Sequence, residues 1–170
     1  MNAQAAKRVS KRPLRRTVQI GAVAVEFAFV MVILLLIMAG MVEFGRTFWY
    51  ADALTKATRD GARLMSSWPI DTINSKGLDA ARTLTKDSAN DANISPKLTA
   101  GATGNVLVEC LSDKFEPLNC TDGAAPANVR VSITGFGVVL GDWFPFIGTG
   151  GLINYGAITL APHTTMRYLK

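Results

Sequence analysis

From Ala22 to Val42 the chain reads AVAVEFAFVMVILLLIMAGMV, in which every side chain is apolar or small except Glu26. As a helix such a run extends about 31 Å at 1.5 Å per residue, close to the hydrocarbon thickness of a bilayer. Beyond it the pattern becomes one-sided. Thr47, Ala51, Leu54, Thr58, Gly61 and Met65 recur at spacings of three and four, which marks one helical face. Asp52, Lys56, Arg59, Asp60 and Arg63 lie mostly off that face. Lys56 and Asp60 are expected to attract at i,i+4, and Arg59 and Arg63 to repel. No proline appears between Val42 and Pro69. The pattern therefore predicts one helix from about Ala22 to Ser66, its first half in a membrane and its second half packed on a folded domain. The small residues Ala51, Ala57, Gly61 and Ala62 would let another backbone approach closely. Trp68-Pro69 ends the helix, because the residue before proline is pushed out of the α region.

Asp71 can cap a second helix running to about Asn90, with Leu78, Ala81, Leu84 and Thr85 on its buried face. Gly77 weakens its first turns. From Ile94 the period changes to two. Val106–Cys110 and Val129–Thr134 read as strands, the second alternating cleanly between apolar and polar positions. Ala157–Ala161 reads as a third strand with an extension toward Tyr168. Pro162 then implies an edge position or a bulge. A strand near Leu98 is a further candidate. The stretch from Phe136 to Gly151, which carries Trp143, Phe144 and Phe146, reads as a long apolar loop. Its aromatics either fold back on the sheet or form a contact surface. The fold class is α+β: a long N-terminal membrane-spanning helix, a second helix and a small antiparallel sheet.

Composition changes this picture in one respect. Of 170 residues, 18 are Lys or Arg and 13 are Asp or Glu, giving a formal charge of +5. That excess invites a nucleic-acid reading. Its distribution argues against one. Lys7, Arg8, Lys11, Arg12, Arg15 and Arg16 all precede Gly21 with no acid among them, and without them 12 bases face 13 acids. The basic character belongs to the first 21 residues. By the positive-inside rule those cations hold the N-terminus in the cytoplasm and place the bulk of the chain outside it.

Glu26 separates three readings of this segment. A cleavable secretory signal would have its small-residue site at Ala39-Gly40. A signal anchor would keep its leader. Neither gives the carboxylate a partner, and an unpaired acid at that depth costs a few kcal/mol on insertion scales. Cleavage after Gly21 would supply one, because the new α-amino group of Ala22 stands four residues from Glu26 on the same helical face.

A basic leader followed by Gly21-Ala22-Val23-Ala24-Val25-Glu26-Phe27-Ala28 resembles the processing site of type IV pilin-like proteins. The match continues in Val42-Glu43-Phe44-Gly45-Arg46 and in Ala57-Thr58-Arg59-Asp60-Gly61-Ala62-Arg63, which resemble the TadE family of pseudopilins. Thr165-Met166-Arg167 fits the end of that family more loosely. The resemblance implies a pilin-like architecture and four parts. Residues 1–21 would be a prepilin-type leader, 22–43 the transmembrane helix, 44–68 its continuation into the periplasm, and 69–170 an extracytoplasmic α+β domain. It further implies a minor pilin of a bacterial tight-adherence (Flp) pilus, inserted in the inner membrane and cut by a prepilin peptidase between Gly21 and Ala22. Its partners would be other pilins and a pilus assembly platform. Glu26, with Phe27 beside it, would set the helix register in the assembly. The competing reading is a signal-anchored extracytoplasmic binding or sensor domain with no pilus role.

Cys110 and Cys120 are the only cysteines. Outside the cytoplasm they are expected to form one disulfide, the alternative being two free thiols. Two Cys and the single His163 cannot fill a zinc site without a carboxylate at an unrecognisable spacing. His163 reads as an exposed strand residue. No phosphate-loop signature occurs. Ala100–Gly104 reads as a turn, not a dinucleotide fingerprint. Asp87 and Asp91 are four apart at a helix end, and Asp113, Glu116 and Asp122, in the loop of the cysteines, lack EF-hand spacing and are expected to be solvated, the alternative being a calcium site. The sequence gives no reason to expect an enzyme, a cofactor, a metal, a small-molecule substrate or a nucleic-acid partner.

Overall fold

The computed structural model describes residues 17–99, 104–140 and 157–169, with side chains from residue 21 onward. Two compact units divide the chain, residues 1–40 and 41–170. Helix α1 spans Thr17–Ser66, so it begins before Ala22, with no Gly-Pro or capping signal at Gly21 to start it there. In the first unit its side chains from residue 21 are exposed, apart from Ala39.

In the second unit α1 lays one face into the core. Tyr50, Ala53, Leu54, Ala57, Thr58, Ala62 and Met65 are buried. Thr47 and Ala51 are half-buried, so the face is centred slightly to one side of the expected stripe. Asp52, Lys56, Arg59, Asp60 and Arg63 are exposed as expected. Lys56, however, pairs with Asp52 at 2.6 Å rather than with Asp60. Both acids are four residues away, and the acid on the N-terminal side is the better-oriented partner on a helix.

After Pro69 the chain makes a 3-10 turn (Ile70–Thr72), a π-helical turn (Ile73–Gly77) and helix α2 (Leu78–Asp91). Asp71 caps nothing: the turn that contains it starts at Pro69, with no side-chain cap. Gly77 is buried against Trp68, whose ring atoms would lie 2.9 Å from a Cβ at that position. The α2 face comprises Ala81, Thr85 and Ala89, with Leu78 half-buried. Leu84 is exposed, contrary to expectation. Small residues win this face because α1 runs close behind it at Gly61.

Six strands follow: β1 (Val106–Leu111), β2 (Pro117–Leu118), β3 (Asn128–Ile133), β4 (Phe136–Val139), β5 (Ala157–Leu160) and β6 (His163–Arg167). The first sheet is antiparallel in the order β2-β1-β3-β6, and β4-β5 form a second, two-stranded one. Val106, Val108 and Cys110 face Ile133, Val131 and Val129 across the β1–β3 ladder. All six are buried and continue the core of α1 and α2. Phe136–Val139 is thus a strand, not part of a loop: Phe136 and Val138 are buried in the same core. The rest of that expected loop, with Trp143, Phe144 and Phe146, lies outside the described residues, as do positions 100–103. The third expected strand divides in two at Ala161-Pro162, and its halves join different sheets. His163 is exposed on β6. Leu98 is buried without a strand, its N–H given to Asn90 Oδ1 at 2.8 Å.

Candidate functional site

The residues singled out at the N-terminus all lie on α1. Gly21 and Ala22 are helical, and a Cβ at Gly21 would meet nothing within 4 Å. Val23, Val25, Phe27 and Phe29 are each 58–69% exposed. Glu26 is exposed and has no hydrogen-bond or ion-pair partner among the described residues. It stands four residues after Ala22, so the helix puts both on one face. This part of α1 is long and apolar enough to cross a membrane. An apolar helical surface of that size is unstable in water and calls for lipid or other helices around it.

One turn beyond Val42 the helix carries a charged pair whose part the sequence reading missed. Glu43 is 6% exposed. Arg46 Nη2 donates to Glu43 Oε2 at 2.8 Å and to the Val139 carbonyl of β4 at 2.8 Å. The guanidinium also stands 5.9 Å from the Tyr50 ring centroid, within cation–π range. Tyr50 in turn meets Phe136 edge-on, centroids 6.2 Å apart. A buried carboxylate needs a paired partner to remain charged. Here Arg46 supplies it and at the same time ties α1 to β4. The available signal was the Glu-Arg pair at i,i+3, on the same helical side as Tyr50, directly after an apolar run.

Higher on α1 the helix is joined to α2 and β6. A Cβ on residue 61 would collide with Thr85 Oγ1 and stand 3.3 Å from the Ala81 carbonyl. Only glycine permits that approach. Thr58 Oγ1 and Thr164 Oγ1 lie 3.0 Å apart. The chain's end closes on the helix: Leu169 N–H donates to the Ser66 carbonyl at 2.8 Å, and Tyr168 Oη–H to the Trp68 carbonyl at 2.6 Å. Burial, and then the negative charge of Asp71, push the Tyr168 hydroxyl above its usual value.

Cys110 and Cys120 are joined in a disulfide. Just past it, Asp122 Oδ1 accepts the N–H groups of Asn74 and Ser75 at 2.6 and 3.2 Å. Desolvation raises this carboxyl, but the Asn74 and Ser75 donors together outweigh it and hold the group below the usual carboxylate range. Asp122 is therefore not merely solvated: it takes the capping role expected of Asp71. Among the described residues no three His, Cys, Asp or Glu side chains converge in a way that could hold a metal ion.

No curated protein matches this chain, and no solved structure matches it. The family model described as TadE-like protein matches residues 21–63. That interval contains Gly21, Ala22, Glu26, Phe27, the Glu43–Arg46 pair and Gly61, and stops short of Thr165-Met166-Arg167. Over residues 21–63 the chain is similar to TadE-like proteins, and among the described residues it has one helix long and apolar enough to cross a membrane.

Proposed function

We propose that this protein is a pseudopilin or minor pilin of a tight-adherence (Flp) type IV pilus. It is made with a basic leader, inserted once in the bacterial inner membrane with its folded unit in the periplasm, and cut after Gly21 by a prepilin peptidase. The observation that carries the reading is Glu26. It is a single carboxylate on an exposed apolar helix, four residues after the first residue that cleavage would leave. Cleavage gives it a cationic partner in the α-amino group of Ala22, in the same helix or a neighbouring one. The apolar surface of α1 then passes from lipid into a bundle of like helices, with pairing to Glu26 setting the register and Phe27 packing beside it. The TadE-like match over residues 21–63 supports the same assignment. The chain's other partners would be related pilins and the assembly platform.

Intact-mass measurement of the membrane-extracted protein, from cells with and without a prepilin peptidase of this system, tests the processing step. A mature chain starting at Ala22 only when the peptidase is present is the expected result. An uncut chain would favour a signal-anchored binding domain, and a start near Met41 an ordinary secretory signal. Glu26→Gln should be cut normally yet fail to support pilus assembly. Normal assembly would remove the register role.

A further inference from the structure

The outward arc of α1 changes character at one level. Met41, Val42, Phe44, Phe48 and Trp49 are 43–69% exposed. The rings of Phe44 and Phe48 touch edge-on with centroids 4.7 Å apart. At 3.6 residues per turn these positions lie opposite Glu43, Thr47, Tyr50 and Leu54, which face the core. From the next turn the same arc holds Asp52, Lys56, Arg59, Asp60 and Arg63, all exposed. The arc is thus apolar and aromatic through Trp49 and charged from Asp52.

The two charges below that level are on the other side of the helix. Glu43 and Arg46 pair at 2.8 Å against β4, so neither is presented on the apolar arc. Trp49 is 61% exposed, yet its indole N–H is already given to the Ala92 carbonyl at 3.1 Å. A ring whose donor is satisfied inside the protein can be covered by hydrocarbon without stranding a polar group. Clustered aromatics at the end of an apolar span are also what the membrane–water interface selects.

We propose that the bilayer reaches to Trp49, so that the Met41–Trp49 face is a lipid-embedded surface of the folded unit. This rests on the single-span reading above and moves its outer limit about 10 Å past Val42, seven residues at 1.5 Å each. The occupant is lipid rather than a partner protein because the chain passes into this face directly from the apolar run of the span. Between Met41 and Asp52 no polar residue lies on the outward arc. The Arg46–Val139 bond sets the end of β4 at the same depth, where the Val139 side chain is 38% exposed. The domain therefore begins within the interfacial layer, and its Glu43–Arg46 pair is what lets charged residues occur at that depth.

Nitroxide labels on single added cysteines in the full chain, reconstituted in phosphatidylcholine nanodiscs with the Cys110–Cys120 disulfide intact, test this. Sites would be Leu34→Cys, Phe44→Cys, Phe48→Cys and Lys56→Cys. Oxygen should collide with the labels at 34, 44 and 48 several-fold more often than a water-soluble nickel chelate does. At 56 the preference should reverse. Chelate access at 44 and 48, with 34 protected, would return the boundary to Val42 and overturn the proposal. Labels at 44 and 48 closed to both reagents would show a protein partner there, which also overturns it. Chelate access at 34 as well would remove the span itself.

Discussion

Asp122 Oδ1 holds the backbone N–H of Asn74 at 2.6 Å, across 48 positions of sequence. The contact closes the start of the second helical segment with an acid from the β2–β3 connection. Gly123 N–H returns to the Ile70 carbonyl at 3.0 Å, so the two segments are joined in both directions.

The carboxylate form makes this cap, and its pKa is lowered in the fold. Its stabilisation is therefore present above the unfolded value of 3.8 and lost as pH falls through the lower folded value. Asp122→Asn should lower the urea midpoint of the detergent-solubilised protein at pH 7. It should differ less from the parent at a pH below that folded value. Near-UV circular dichroism of Trp68, which packs on Gly77, reads the transition. An equal loss at both pH values would mean that charge plays no part in the cap.

Gly61 faces Thr85 with no room for a methyl group. Gly61→Ala should cost about 1–3 kcal/mol of stability, the usual penalty for overpacking. Thr85→Ala alone removes a buried methyl group and a hydroxyl bonded to its own helix, at the Ala81 carbonyl 2.8 Å away. The double variant should recover part of the loss, since the hydroxyl is the nearest obstacle. Denaturation of all four proteins gives the coupling, and strict additivity would show that the two residues do not compete for the same space.

Tyr168 anchors the C-terminal strand to the end of α1 through the Trp68 carbonyl. Tyr168→Phe should cost about 1 kcal/mol at neutral pH, the typical net worth of one hydrogen bond. The folded tyrosine has a raised pKa, so its contribution is complete below the unfolded value of 10.0 and falls as pH rises through the folded one. The parent should therefore lose stability more steeply than the variant above pH 10. Parallel alkaline limbs in a melting-temperature series would count against this.

Much of the architecture is legible in local pattern. The apolar run, the stripe from Leu54 to Met65 and the alternation in Val129–Ile133 each report a single element against one environment. Glu26 stands out because every neighbour is apolar. Where a residue's partner is remote, the pattern is silent. Asp71 has the right spacing for a cap, but Asp122 has the right position. Leu84 has the right hydrophobicity for the α2 face, but Gly61 leaves room only for Ala81 and Thr85. Phe136–Val139 looks like the start of a glycine-rich loop until Phe136 finds Tyr50.

The sequence by itself determined an apolar helix of membrane-crossing length, the α+β class, the basic charge of the first 21 residues and the placing of Ala22 and Glu26 on one helix. These follow from periodicity and transfer free energy, which act on neighbouring residues. Tertiary structure alone decided that Arg46 neutralises Glu43 while bonding to β4, that Asp122 caps the second helical segment, and that the strand after Tyr155 splits between two sheets at Pro162. Each of these joins groups far apart in the chain, and only their arrangement in space settles which donor meets which acceptor.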